Sequence, residues 1–344
     1  MIPRNYRYFW SLLPGAITIA GNLAGGWWVY GNMFFSLGIL TVIEWFFPED
    51  FSNEQDENSA VPDLILGLHV VFQVTALITF FYVLSIGEMN GWQIFGASFS
   101  TGVHSGTSAI VIAHELIHRN SPVWRFFGKV LLFTSGNIYF YVEHLRVHHK
   151  WVATDRDPAS AKRGENVYGF FLRSALGQIS GSWKLEKERL SKAGKSVWHP
   201  SNYTLLSMVL LFVLSCAMYY FIGPLAVVAF AMQCLLANFL LEYTNYIEHY
   251  GLRRNEKERA TEIHSWQSDR LISRFLLIDL SRHADHHYYA SKPYHTLVSH
   301  PGSPVLPCGY AAALYVALFP PAWFRMVDHR LDEFLEKHVD VSPS

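Results

Sequence analysis

Apolar runs long enough to cross a bilayer divide this sequence, and cations mark where those runs stop. Of 27 Lys and Arg, two are Arg4 and Arg7, 14 lie between Arg119 and Lys195 and 11 lie from Arg253 onward, so residues 8–118 and 196–252 hold none. A crossing needs about 20 mainly apolar residues. The first region has room for four and the second for two. Gly25-Gly26 separates 7–25 from 27–48, the loop PEDFSNEQDENSAVPD separates these from 64–87, and EMNG separates those from 92–118. Gly223-Pro224 divides 202–222 from 225–247, because Pro starts a helix more readily than it continues one. The pattern predicts an all-α integral membrane protein, one domain over 1–344 with six transmembrane helices. Four crossings return the chain to its starting side, so Arg4 and Arg7, the 119–200 segment and the 249–344 tail share one face. The positive-inside rule makes that face cytoplasmic, together with the acidic loop 49–63, whose carboxylates weigh little in the rule. The apolar run 297–324 holds five prolines. A seventh crossing would move the tail to the wrong side, so this run reads as a packed or interfacial segment.

Composition agrees, with 51% hydrophobic residues and 16% charged, against about a quarter charged in soluble domains. The charge-free run from Ser11 to Ile43 exceeds the roughly 7–15 apolar residues of a signal peptide, so it belongs to the mature fold. Cys216, Cys234 and Cys308 are scattered. They build no disulfide framework, iron-sulfur site or rubredoxin-type site. A formal net charge of −1 leaves no nucleic-acid footprint. The segment 119–195, with 14 cations against six carboxylates, suits anionic headgroups or an acidic partner.

Nine of the 17 histidines form four local groups: His114 and His118 in HELIH; His144, His148 and His149 in EHLRVHH; His249 in NYIEHYG; and His283, His286 and His287 in RHADHH. Helical positions three or four apart share a face, and all four groups fall on the cytoplasmic side. They can therefore converge just below the bilayer. One H-x-x-x-H is weak evidence and HELIH lacks the cleft and third ligand of a zincin, but several such groups on one side point to metal. Nine imidazoles exceed one ion's capacity, which argues for two. Structural zinc saturates with four ligands and favours cysteine, whereas iron suits imidazole and an open position for oxygen. Glu115, Glu143, Glu248 and Asp285 stand beside these histidines, placed to accept the second ring N–H of a ligand. His69 and His104 lie alone within spans and read as hydrogen-bonded packing residues.

HELIHR, EHLRVHHKWVATDRDPAS, NYIEHYGL, HSWQSD, LSRHADHHYYASKPYHTL, LPCGY and PPAWFRMVD together resemble the membrane-bound non-haem di-iron alkane monooxygenases of the fatty acid desaturase/hydroxylase superfamily, over nearly the whole chain. The E-H-Y-G element separates this pattern from the acyl desaturases. The resemblance implies six transmembrane helices, two irons held by the nine histidines at the cytoplasmic end, and a hydrophobic channel between the helices. It adds Asp157 of DPAS and His264 of HSWQS as supporting residues around the metals. It implies O2-dependent hydroxylation of the terminal methyl group of n-alkanes to primary alcohols, in the inner membrane, with electrons from rubredoxin and its NADH-dependent reductase. Lys184, Lys187 and Arg189 are a candidate docking patch for that carrier. Ile117 and Arg119 depart from the family's usual first box, and YYASKPYH replaces its basic pair, so a xylene or cymene methyl group is the alternative substrate. An acyl-lipid desaturase or hydroxylase is the other alternative. Trp45, Phe72, Phe80 and Phe99 are span aromatics that read as packing before channel lining.

Overall fold

A computed structural model of the chain describes residues 3–54 and 58–339. Their regular structure is all helix, and no strand occurs among them. In chain order the helices are α1 (4–24), α2 (26–46), α3 (Ala60–Ser85), α4 (91–118), α5 (Pro122–Thr134), α6 (140–151), α7 (Val167–Lys192), α8 (Tyr203–Phe221), α9 (Pro224–His249), α10 (Leu271–Leu276), α11 (His283–Tyr288), α12 (Tyr310–Leu318) and α13 (Pro320–Val339). Four are long and apolar enough to cross a membrane: α2, α3, α8 and α9. The other two predicted crossings, 7–25 and 92–118, are also helical, as α1 and α4.

Local chemistry sets the limits. Asn90 caps α4 by accepting from the Gln93 N–H, while Gln93 Oε1 accepts from the Asn90 N–H, satisfying two of the orphan donors at a helix start. Asn166 and Asn202 cap α7 and α8 with a single bond each, accepting from the N–H groups of Gly169 and Leu205. Gly223, at φ 123°, precedes Pro224 at the first turn of α9. The run 297–324 breaks at Phe319 between α12 and α13. At about 1.5 Å per residue, the nine residues of α12 are too short to cross.

Segment 122–139 is not a simple loop. Gly128 of α5 faces Ala113, Leu116 and Ile117 of α4 so closely that a Cβ would crowd them. The hairpin tip then meets the middle of two long apolar helices. Gln73 of α3 donates to Thr134 Oγ1 at 3.3 Å, Gln233 of α9 to the Thr134 carbonyl at 3.1 Å, and Asn137 to Asn238 at 2.9 Å. Next in the chain, α7 lies across helix ends: Ser174 and Gln178 bond Glu242 near the end of α9, and Ser182 bonds Thr204 at the start of α8.

Charge pairs tie the remaining ends together. Asp279 is fully buried and takes hydrogen bonds from Arg4 at 2.6 Å, Tyr8 at 2.5 Å and Arg274 at 2.7 Å. Arg274 also donates to the Asp50 carbonyl, and Asn53 to that of Ser299. The N-terminus, the described part of loop 49–63 and the tail therefore share one end of the molecule. Within the helices, His69 is hydrogen-bonded at both nitrogens, to Ser11 and Ser108 at 2.7 Å each. His104 departs from expectation. It is wholly buried and neither nitrogen has a partner among the described residues.

Candidate metal centre

The nine histidines meet at that same end, in two groups: His114, His118, His144, His149 and His286; and His148, His249, His283 and His287. Within each group the donor atoms lie within 4.8 Å of one another. The sequence clusters are split between them. His144 and His149 join one group while His148, between them, joins the other, because residues His144–His148 form a π-helical turn. With i→i+5 bonding, positions five apart stack on one face; an α-helix would turn them well apart. The last cluster divides by α-helical spacing, His283 and His287 to one side and His286 to the other.

The donor set fits metal. An imidazole nitrogen sits about 2.0–2.1 Å from a divalent ion, so ligands at right angles around it stand about 3 Å apart. The Nε2 atoms of His144 and His118 are 3.0 Å apart, His149 and His118 3.1 Å, His149 and His144 2.8 Å, and His287 and His283 2.9 Å. The Nε2 atoms of His114, His148 and His249 are buried without any partner among the described residues. Burial, then the neighbouring imidazoles, hold His144, His149, His283, His286 and His287 well below the usual histidine range. They are therefore neutral at pH 7, the form that binds metal.

Two outer nitrogens are held. His148 Nδ1 bonds Asp157 at 2.9 Å, and that carboxylate also takes the Ser160 hydroxyl at 2.7 Å and the Ala159 N–H at 3.1 Å. Burial alone would raise Asp157; the charge and hydrogen bond of His148, with Ser160, hold it below the usual carboxylate range. His249 Nδ1 faces the carbonyl of His264 at 3.3 Å, while the His264 ring turns back to Thr261. The backbone of His264, not its imidazole, reaches the centre.

The four remaining carboxylates take different places. Glu248 Oε2 lies 3.2 Å from His283 Nε2, on the side facing His287, and Tyr310 holds its other oxygen at 2.8 Å. Asp285 takes Lys292 at 2.6 Å, His300 at 2.7 Å and the Val298 N–H at 2.9 Å, which anchors the loop after the last cluster. Glu115 pairs with Arg119 at 2.7 Å. Glu143 is pushed up to about 8 by burial and by Asp157 nearby. None of these last three bonds a histidine of either group. Tyr310 and Ser160 carried no sequence signal beyond their place in LPCGY and DPAS.

An apolar cavity adjoins the centre, walled by Leu37, Leu40, Leu240, Leu277 and Leu314 among others. It shares Gly106, Val111, Thr244 and Leu280 with the recess lined by His114, His144 and His283. Trp45, Phe72, Phe80 and Phe99 line neither.

Residues 90–300 match the family described as fatty acid desaturase. The chain is 34% identical to an alkane 1-monooxygenase of Pseudomonas putida, over 93% of its own length and 84% of that protein. It is also 34% identical to alkane 1-monooxygenase 1 of Alcanivorax borkumensis, over 98% and 87%. A xylene/toluene monooxygenase hydroxylase component of Pseudomonas putida is 27% identical over 93% and 87%.

Proposed function

The chain belongs to the alkane 1-monooxygenases of the fatty acid desaturase family, and from that membership we propose that it hydroxylates the terminal methyl group of n-alkanes at a di-iron centre held by His114, His118, His144, His148, His149, His249, His283, His286 and His287. The observation that carries the reading is the two close groups of imidazoles, most of them buried, beside an apolar cavity. Bound iron supplies the oxygen activation and C–H hydroxylation that no side chain can perform. Overall, R–H, O2, two electrons and two protons give R–OH and water.

The protein's share is position and dryness. An alkane has no polar handle, so only shape and burial orient it, and the leucine-walled cavity supplies both. Asp157 and the His264 carbonyl fix the tautomers of His148 and His249, so that Nε2 faces inward. Glu248 places a carboxylate beside His283. We assign six crossings, α1 to α4, α8 and α9, as one domain in the inner membrane, with both termini and the metals cytoplasmic. The hairpin 122–139 dips back between the helices.

Electrons come from rubredoxin and its NADH-dependent reductase, since the chain's three cysteines are all free and apart. Of the docking patch, Arg189 is engaged by Glu186 and the Ser201 carbonyl. Lys184 and Lys187 line an open surface and carry the contact. Neutralising both raises the apparent KM for rubredoxin; an unchanged value at low salt removes the patch from the reading.

The test is gas chromatography with mass spectrometry on cells supplying rubredoxin and its reductase, fed n-alkanes, xylene and fatty-acid esters, with His148→Ala as control. Terminal alcohols absent from the control, and two irons per purified chain, are expected. Benzylic alcohols would move the substrate to the xylene type, and unsaturated esters to an acyl-lipid desaturase.

A further inference from the structure

Six hydroxyl groups line the apolar cavity, and each spends its hydrogen inside the protein. Ser36 donates to Asn32 at 2.7 Å, Thr107 to the Val103 carbonyl at 2.8 Å and Thr244 to the Leu240 carbonyl at 3.0 Å. Tyr243 donates to the Tyr310 carbonyl at 2.5 Å, and Tyr310 to Glu248 at 2.8 Å. The sixth, Ser273, accepts from the Tyr310 N–H at 2.8 Å and gives its hydrogen to Glu44. The wall thus offers a ligand no hydroxyl donor.

It does offer a carboxylate. Glu44 lines the cavity, is 2% exposed, and takes the Ser273 hydroxyl and the Ala312 N–H, in the first turn of α12. Both partners donate and a helix start favours negative charge, which offsets part of what burial costs the carboxylate's charged form. Space is kept for it: a Cβ on Gly309, just before α12, would collide with this carboxylate. Capping α12 does not require it, because Ser, Thr, Asn or Asp at position 309 would cap from the loop itself. A buried carboxylate near the end of a membrane-spanning helix is costly and points to function.

We infer that Glu44 determines specificity by keeping long-chain carboxylates out of the cavity. A fatty-acid anion carries the same chain and methyl end as an n-alkane and dissolves in the same bilayer; only its headgroup differs. Inside the cavity that headgroup finds no free hydroxyl donor and meets the fixed charge of Glu44. In a low-dielectric enclosure such like-charge repulsion is worth about tenfold or more in binding. A headgroup that reached the histidines would also compete as a metal ligand, since carboxylates bind metals well.

This rests on reading the cavity as the hydrocarbon's place, and the experiment separates the two. Retention of radiolabelled dodecanoate and of its methyl ester by the purified protein in detergent measures occupancy without turnover. Wild type is expected to prefer the ester, Glu44→Gln to raise dodecanoate relative to ester about tenfold, and Glu44→Asp, which keeps the charge, to retain the preference. An unchanged ratio in Glu44→Gln overturns the proposal. Leu37→Trp fills the cavity; if it retains both ligands as wild type does, the cavity reading has failed, whereas loss of both leaves Glu44 alone in question. Should Glu44→Gln not fold, wild type must still retain dodecylammonium more strongly than dodecanoate, and equal retention rejects the assignment.

Discussion

Single side chains decide whether nine imidazoles can serve as ligands. Asp157 acts through His148: its carboxylate fixes the Nδ1 proton and so turns Nε2 toward the group of four. Outer partners of this kind typically govern about 10–100-fold in metal affinity. Asp157→Asn is expected to lower iron retention against a graded chelator by that factor while the protein stays monodisperse; equal retention would show that His148 needs no such support. A second buried carboxylate is structural. Burial alone would raise Asp279, but the charges of Arg274 and Arg4 and the Arg274 hydrogen bond hold it below the usual range. A depressed folded value means that the stabilisation is complete above the ordinary carboxylate value of about 3.9 and is lost as pH falls through the lower folded one. Asp279→Asn therefore melts well below wild type at pH 7, by an amount of order 3–5 kcal/mol for a broken buried pair, and the gap closes only in strong acid. A gap already closed at pH 5 would contradict the pairing.

At the scale of elements, the sequence was informative where chemistry follows regular periodicity and silent where it does not. Long apolar helices and every histidine cluster were legible, because their spacing is that of an α-helix. The distribution of ligands between two groups was not, because it depends on a π-turn that no residue type announces: EHLRVHH reads equally well as plain helix. Buried histidines outside the centre make a related contrast. His69→Leu strands the Ser108 hydroxyl, while Ser11 keeps its bond to the Tyr8 carbonyl, and an unsatisfied buried group costs about 1–3 kcal/mol. His104 has no partner among the described residues to strand. His104→Leu is thus expected to match or exceed wild-type melting temperature while His69→Leu falls below it. A drop in both would mean that His104 is satisfied by water.

Whole-molecule topology follows from which ends are fastened together. Counting charges assigned the termini, loop 49–63 and segment 119–200 to one side, and the contacts of Arg4 with Asp279, Arg274 with Asp50 and Asn53 with Ser299 gather the described parts of the first two with the tail at one end. Counting could not foresee that part of 119–200 turns inward again, because α5 is only 13 residues long and carries Arg125 and Lys129. Its tip is satisfied by Gln73, Gln233 and Asn238. Backbone that breaks from helix at membrane depth is tolerated only where protein covers it, and these amides do so. Cysteines placed singly in a background lacking Cys216, Cys234 and Cys308 test the arrangement. An impermeant maleimide added to spheroplasts is expected to label position 88, between α3 and α4, and position 222, between α8 and α9, but not 52, 150 or 325. Those three become reactive only in inverted vesicles. Position 134 stays unreactive in both, because Thr134 sits at the covered tip rather than in the cytoplasm. Labelling of 134 from the side that labels 150 would make the hairpin an ordinary surface loop. Opposite labelling of 52 and 325 would break the parity on which the placement of the metal centre depends.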